Sequence, residues 1–410
     1  MQSNLVAVKQ RQAVRSSYGV IDFMTFLTIL LIGADIFGID IGVNIRIVQI
    51  FAVFTVFLLV VKNKFALPKT NVNIVFMIAF FLVSCLLSQY KRITLPYFMW
   101  FVYNYIFIFG LAYSYILYFG FRRFYSIFRM TMYLQVILIA IQFLAELLGH
   151  PIPFFSTGTF HGIPRPAIWF YEPSYFATYL SFWLTVSLVM CVCFKDKKQL
   201  FNVLFSLLGM VLCTASTGFV AIGLAVVVVV LYSIRKNRLG TIIKFTLMLL
   251  ILAVIAYCLF RDIVNTFVLR LITQGIKGSD GGRTSMYGEI WSVFKDNWLF
   301  GVGPGAYGFY MGADRSYVPS NVTLELLSTC GILVTILFYG FVFRVIYNAY
   351  KVGKKYKNNY LIACSFGLLV FMIVLQANQN YLRLYMWMFF GILAGYTRII
   401  KKNNMARGIR

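Results

Sequence analysis

Apolar runs of 17 to 22 residues recur along this chain from one end to the other. A stretch of roughly 18 or more apolar residues is long enough to cross a bilayer as a helix. A water-soluble core cannot hide so many of them: 61% of the residues are hydrophobic and 12% charged. The same composition excludes disordered, collagen-like and disulfide-scaffold chains. The 410 residues therefore read as one integral membrane domain, all-α and polytopic.

Apolar windows bounded by charges or turn residues predict about twelve transmembrane helices, at 19–37, 47–61, 72–88, 96–119, 130–148, 173–194, 200–215, 218–234, 241–260, 322–343, 359–377 and 384–400. Only Ser216, Thr217 and Gly218 stand between two of these windows, so that hairpin turn is expected near the membrane surface or slightly inside it. The formal charge of +25 invites a nucleic-acid reading, but its distribution argues otherwise. With the N-terminus placed in the cytoplasm, 25 of the 37 Lys and Arg fall in cytoplasmic segments and 11 in outer ones, Lys244 lying within a span. Of the acidic residues, only Asp22 and Asp196 lie toward the cytoplasm. This is the positive-inside pattern. It places both termini in the cytoplasm and makes anionic membrane lipids, not nucleic acid, the partner of the basic charge.

Lys9, Arg11 and Arg15 precede the first apolar run, yet no small-residue cleavage site follows, so a retained first helix is expected. All seven cysteines fall in or at the edges of spans, without CxxC or metal-ligand spacing, and read as packing residues. Two histidines in the whole chain cannot build a zinc site, and neither a metal nor a cofactor is expected.

Two outer segments stand apart by length. Residues 149–172 contain His150 and His161 and, with Pro173, five of the nine prolines. Such a loop is expected to be held by fixed φ angles rather than by a backbone ladder. Residues 261–321 form a large outer loop of about sixty residues, a length uncommon without a role. Within it Tyr287, Trp291, Phe294 and Trp298 recur at helical spacing, predicting a short amphipathic helix along the membrane interface, with Arg283 at or before its first turn. The turn Gly301–Gly308 that follows contains a formal GxGxxG, but no strand precedes it and no βαβ unit surrounds it, so a nucleotide site is not inferred. A loop that merely anchors the bundle at the interface is the competing reading.

Several segments, in order, resemble the O-antigen polymerase/ligase superfamily of bacterial glycan-assembly membrane proteins. Arg165-Pro-Ala-Ile-Trp-Phe-Tyr-Glu172-Pro-Ser-Tyr-Phe-Ala177 is similar to the family's Arg-then-Glu-Pro-Ser entry into a span. Thr214-Ala-Ser-Thr-Gly218 looks like its Ser-rich hairpin turn; Gly282-Arg283 precedes Trp291 and the glycine turn. Pro319-Ser-Asn-Val-Thr-Leu-Glu-Leu-Leu327, followed by Gly331, closes the series, which covers roughly residues 160–340. Two positions depart from the pattern. Ser320 stands where the ligase branch usually has a histidine, which leans the resemblance toward a Wzy-like polymerase, and Thr217 stands where an arginine is frequent.

The resemblance implies joining of oligosaccharide repeat units carried on undecaprenyl diphosphate at the outer face of the bacterial cytoplasmic membrane, for O-antigen, capsule or exopolysaccharide. A ligase-type transfer and a non-enzymatic flippase or transporter are the alternatives. A separate flippase and a chain-length regulator are the protein partners implied. A breaking glycosyl–phosphate bond needs cations that stabilise the leaving charge, and the guanidinium fork suits phosphate oxygens. Arg165 and Arg283 are the first candidates; a salt bridge from Arg165 to Glu172, locking the loop, is the structural alternative. Glu172 is a candidate general base, or a cap for the helix starting at Pro173. His161 is the second candidate base. Asn321 and Glu325, one turn apart, are candidates for sugar binding, for fixing the large loop or for satisfying the helix start, and Arg383 for a further phosphate contact or an interface anchor.

Overall fold

The computed structural model describes residues 19–40, 44–68, 72–160, 163–235, 282–313, 321–377 and 381–406, with Gly240, Arg261, Asn265 and Pro319. The first helix, α1, runs Gly19–Leu30. A small antiparallel hairpin, β1 (Gly38–Asp40) with β2 (Asn44–Arg46), leads into α2 (Ile47–Val61) and α3 (Val72–Leu87). α4 (Lys91–Tyr103) continues through a π-helical stretch, Asn104–Phe109, into α5 (Gly110–Phe119). After α6 (Phe121–Leu147) comes a second hairpin, β3 (Thr159–Phe160) with β4 (Ile163–Pro164). α7 (Pro173–Leu188), α8 (Leu200–Leu212) and α9 (Ser216–Ile234) follow. Beyond the undescribed stretch lie α10 (Gly282–Asp296), the short α11 (Tyr307–Tyr310), α12 (Val322–Lys355), α13 (Asn359–Val374) and α14 (Leu384–Ala406).

Eleven of the predicted windows coincide with described helices; the window 241–260, with Cys258, lies outside the described residues. Six helical stretches are long and apolar enough to cross a membrane: Lys91–Phe119, Phe121–Leu147, Pro173–Cys193, Ser216–Ile234, Val322–Lys355 and Asn359–Ala377. α1, α2 and α3 are shorter apolar helices. The chain is an all-α, multi-pass membrane protein in this sense.

α7 is the central helix. Every residue from Tyr175 to Leu188 is buried, as expected of a helix that is hydrophobic all round. α8, α9 and α13 pack against it. Small residues let the backbones approach: a Cβ on Gly367 would stand 2.9 Å from the Phe182 carbonyl, and the Gly391–Gly395 pair of α14 lies against the carbonyls of Phe109 and Tyr113.

The connections separate to two ends. At one end Asp35, after α1, bonds Arg383, before α14, and its N–H donates to the Trp169 carbonyl in the 149–172 loop. At that end Ser88, after α3, also donates to the Val302 carbonyl, and Thr217 to that of Ser174. At the opposite end Arg123 and Tyr115 bond Asp22, and Gln199 donates to Tyr360, itself bonded to Asp196. The two acidic residues expected toward the cytoplasm are thus both consumed in polar networks at one end.

Two details differ from expectation. The proline-rich loop does carry a backbone ladder: besides β3–β4, Ser156 N–H donates to the Ile168 carbonyl at 2.6 Å, Ala167 N–H to the Ser156 carbonyl, and Arg165 N–H to the Gly158 carbonyl at 2.8 Å. Proline cannot donate, but the residues between the prolines can, and they do. The predicted span 322–343 is not one straight helix. Gly331 breaks it at φ 77°, so that Val322–Cys330 is a separate short helix and a second, longer helix runs from Ile332 to Lys355.

Candidate active site

The entry of α7 is built from the segment that most resembles the family. Glu172 has extended backbone angles at the N-cap and Pro173 occupies the first helical position, where a missing N–H costs nothing. The Glu172 side chain does not bond the helix N–H groups. It is exposed and accepts the Ser174 hydroxyl at 3.0 Å. Its backbone therefore starts the helix while its carboxylate stays at the surface.

Arg165 lies half-buried on the same loop, and its Nε–H is buried with no partner among the described residues. Burial pulls its guanidinium below the ordinary value, opposed by the nearby Glu172 carboxylate. The two do not come within salt-bridge distance. The loop is locked instead by its own backbone bonds and by Gln142, whose Oε1 accepts from Ile168 at 2.7 Å. Arg165 also feels Cys213, at the tip of the α8–α9 hairpin. The family-like hairpin turn and the Arg–Glu–Pro–Ser entry thus meet in space.

On the neighbouring side of the same entry sits a triad that the sequence reading did not single out beyond Arg383. Asp35 lies between Arg46 Nη1 and Arg383 Nη1, at 2.7 Å from each. Arg383 is 7% exposed, stacks at 3.7 Å over the ring of Tyr175 in the first turn of α7, and keeps its Nε–H without a partner among the described residues. Burial would lower the Arg383 guanidinium, but Asp35 and the surrounding tyrosine oxygens outweigh it and hold it raised. For Arg46, burial prevails over Asp35 and the shift is downward. Two cations share one carboxylate, leaving one positive charge uncompensated within the triad. A cavity of about 140 Å³ opens beside them, lined by Arg46, Gln49, Tyr97, Trp100, Asn104 and Arg383. The π-helical stretch turns Asn104 so that its Nδ2 donates to the Leu382 carbonyl at 2.8 Å, fixing the backbone before Arg383.

Asp35, Arg46, Tyr97 and Tyr175 were the missed residues. Their available signal was an acidic residue close to an apolar run, which in a membrane protein demands a cationic partner; nothing in the sequence said which one.

Asn321 is a helix cap: its Oδ1 accepts from Leu324 N–H at 3.0 Å. Glu325 is fully buried in the first turn of α12. The predicted amphipathic helix is α10, but its protein-facing side is Ile290 and Val293, packed on Val302 and Tyr307, while Trp291 and Trp298 are exposed. Of the predicted stripe, Trp291 faces outward, whereas Tyr287 packs against that same cluster. The side chain of Arg283, and His161 and Ser320 altogether, lie outside the described residues.

The glycine turn is a packing device. Gly301, Gly303 and Gly305 have φ of 69°, 109° and 73°, and the turn bonds the break in α12: Val302 N–H to Ser328, Gly303 N–H to Thr329, and Ile332 N–H to Trp298 at 2.9 Å. At Gly331 an added Cβ would stand 2.2 Å from the Leu299 carbonyl. Gly331→Ala is therefore expected to lower thermal stability in detergent by well over the ~1 kcal/mol of an ordinary Gly–Ala exchange, since both φ and space oppose it. Unchanged melting would show that the break is not required.

A search of curated proteins finds no match to the chain. Residues 201–339, about one third of the chain and reaching from α8 into α12, match the family model described as O-antigen ligase, which places this segment in the O-antigen polymerase/ligase superfamily and supports the resemblance drawn above.

Proposed function

We propose that the chain is a polymerase of undecaprenyl diphosphate-linked oligosaccharide units, acting at the outer face of the cytoplasmic membrane in O-antigen, capsule or exopolysaccharide assembly. The carrying observation is that cationic side chains from three separate connections, Arg46, Arg165 and Arg383, gather around one helix entry, two of them with a buried N–H directed at no described partner. That is the chemistry of an anion site.

In the reaction, a hydroxyl of the acceptor unit attacks the anomeric carbon of the growing chain. The bond from that carbon to the diphosphate oxygen breaks, and the lipid diphosphate leaves with the electron pair. The hydroxyl proton passes to a base, for which Glu172 is the choice. Arg165, Arg383 and Arg283 stabilise the departing charge. Asn321 caps the helix that begins at Val322, and Glu325 is buried in its first turn. The family model is described as a ligase, which keeps a single transfer to another acceptor as the second reading; Ser320 in place of the ligase-branch histidine favours polymerisation.

The test is purified protein mixed with lipid-linked repeat units. A product ladder supports polymerisation, and a single transfer without a ladder supports the ligase reading. In the same assay Glu172→Gln is expected to slow product formation by about 10²–10⁴-fold, the usual worth of a positioned base. Melting should be unchanged, since the carboxylate is exposed. Activity within a few-fold of wild type would reduce Glu172 to the start of a helix.

A further inference from the structure

The cation cavity does not stand alone. It opens toward a groove of about 650 Å³ between α2 and α4, lined by Ile45, Gln49, Val53, Phe57, Met99 and Trp100. Gln49 and Trp100 line both spaces. Ile45 is followed directly by Arg46, so the chain passes from apolar groove to cation in one residue. Apart from Gln49 and the hydroxyl of Tyr103, which donates to the Gln49 carbonyl at 2.9 Å, the groove wall offers apolar side chains. From Gln49 to Phe57 it descends about 12 Å along α2, at 1.5 Å per residue, less than half of a hydrocarbon core of about 30 Å.

A groove on a membrane protein is ordinarily filled by bulk lipid. This one differs in ending at a buried, partly unsatisfied guanidinium with net positive charge around it. Its two parts match a molecule with a narrow apolar chain and a compact anionic end. A phospholipid has two chains and one phosphate; a polyprenyl diphosphate has one chain and two. We propose that the α2–α4 groove holds the first isoprene units of a polyprenyl chain, with its diphosphate at Arg46 and Arg383. This rests on the functional reading above for the identity of the lipid, and it makes Arg46 and Trp100 binding residues for the lipid carrier.

The test is photolabelling with a diazirine-tagged polyprenyl diphosphate, using the full chain in nanodiscs of phosphatidylethanolamine and phosphatidylglycerol. Label is expected in peptides covering residues 45–57 and 99–103. Unlabelled undecaprenyl diphosphate should compete for it, and undecaprenol without phosphate should not. Val53→Trp, which fills the groove from its lipid side, should cut the label at least tenfold, whereas Val53→Ala should retain it and report that position 53 tolerates change. Equal labelling of Val53→Trp, label spread over other helices, or competition by added phosphatidylglycerol as strong as by the polyprenyl diphosphate would overturn the proposal. Labelling without a product ladder would leave this site standing and remove the polymerase reading; a ladder without groove labelling would do the reverse.

Discussion

Replacing Arg383 with alanine is expected to abolish polymer formation and to destabilise the protein at once. The guanidinium is buried, bonded to Asp35 at 2.7 Å and stacked on Tyr175 at 3.7 Å. Removing one partner of a buried ion pair costs about 3–5 kcal/mol, because the other charge stays behind without its water. Here Arg46 still neutralises Asp35, so the lower end of that range is expected. Arg383→Lys keeps the charge but loses the planar fork and the flat stack on Tyr175, and should recover stability more than activity. Asp35→Asn reverses the problem by leaving two cations without a counter-charge, and should also lower melting. Thermal unfolding in detergent checks the stability of all three, and the product ladder checks function. Wild-type melting of Arg383→Ala would show that the triad is not a structural keystone.

Arg165→Ala should behave differently. Its side chain makes no ion pair with any described residue, and the loop around it is held by backbone bonds that do not involve the guanidinium. Melting should therefore stay near wild type. Product formation should fall by about 10²–10³-fold, the cost of removing one positioned donor from a developing negative charge. Arg165→Lys should restore only part of it, since an ammonium cannot present two parallel N–H groups. Loss of stability in step with activity would move Arg165 from charge stabilisation to scaffolding. The contrast between Arg383 and Arg165 separates a cation that both holds the site together and meets the ligand from one that only meets the ligand.

The membrane class was legible because apolar length is a one-dimensional property, and so was the sharing of one end by the alternate connections. The contact between Asp35 and Arg383 spans 348 positions of sequence, and no local pattern announces it. Arg383 was visible as a cation before a span; its carboxylate partner was visible only as one acidic residue among several. The break at Gly331 was hidden for a related reason. No proline interrupts Val322–Lys355, and only the Leu299 carbonyl pressed against that glycine shows why the helix must turn. Asn321, by contrast, needed no tertiary information: an Asn at the start of an apolar run is a cap by its own chemistry. Glu172 starts the helix by its backbone alone, and its carboxylate, turned to Ser174, makes no cap.

The most direct measurement is the product distribution formed from lipid-linked repeat units by the purified wild-type protein and by the charge-reversed variants Arg165→Glu and Arg283→Glu. The expected result is a ladder of lengthening products from the wild type and none from either variant, with all three proteins present in the membrane in equal amount. A ladder of wild-type intensity from both variants would contradict cation-assisted departure of the lipid diphosphate.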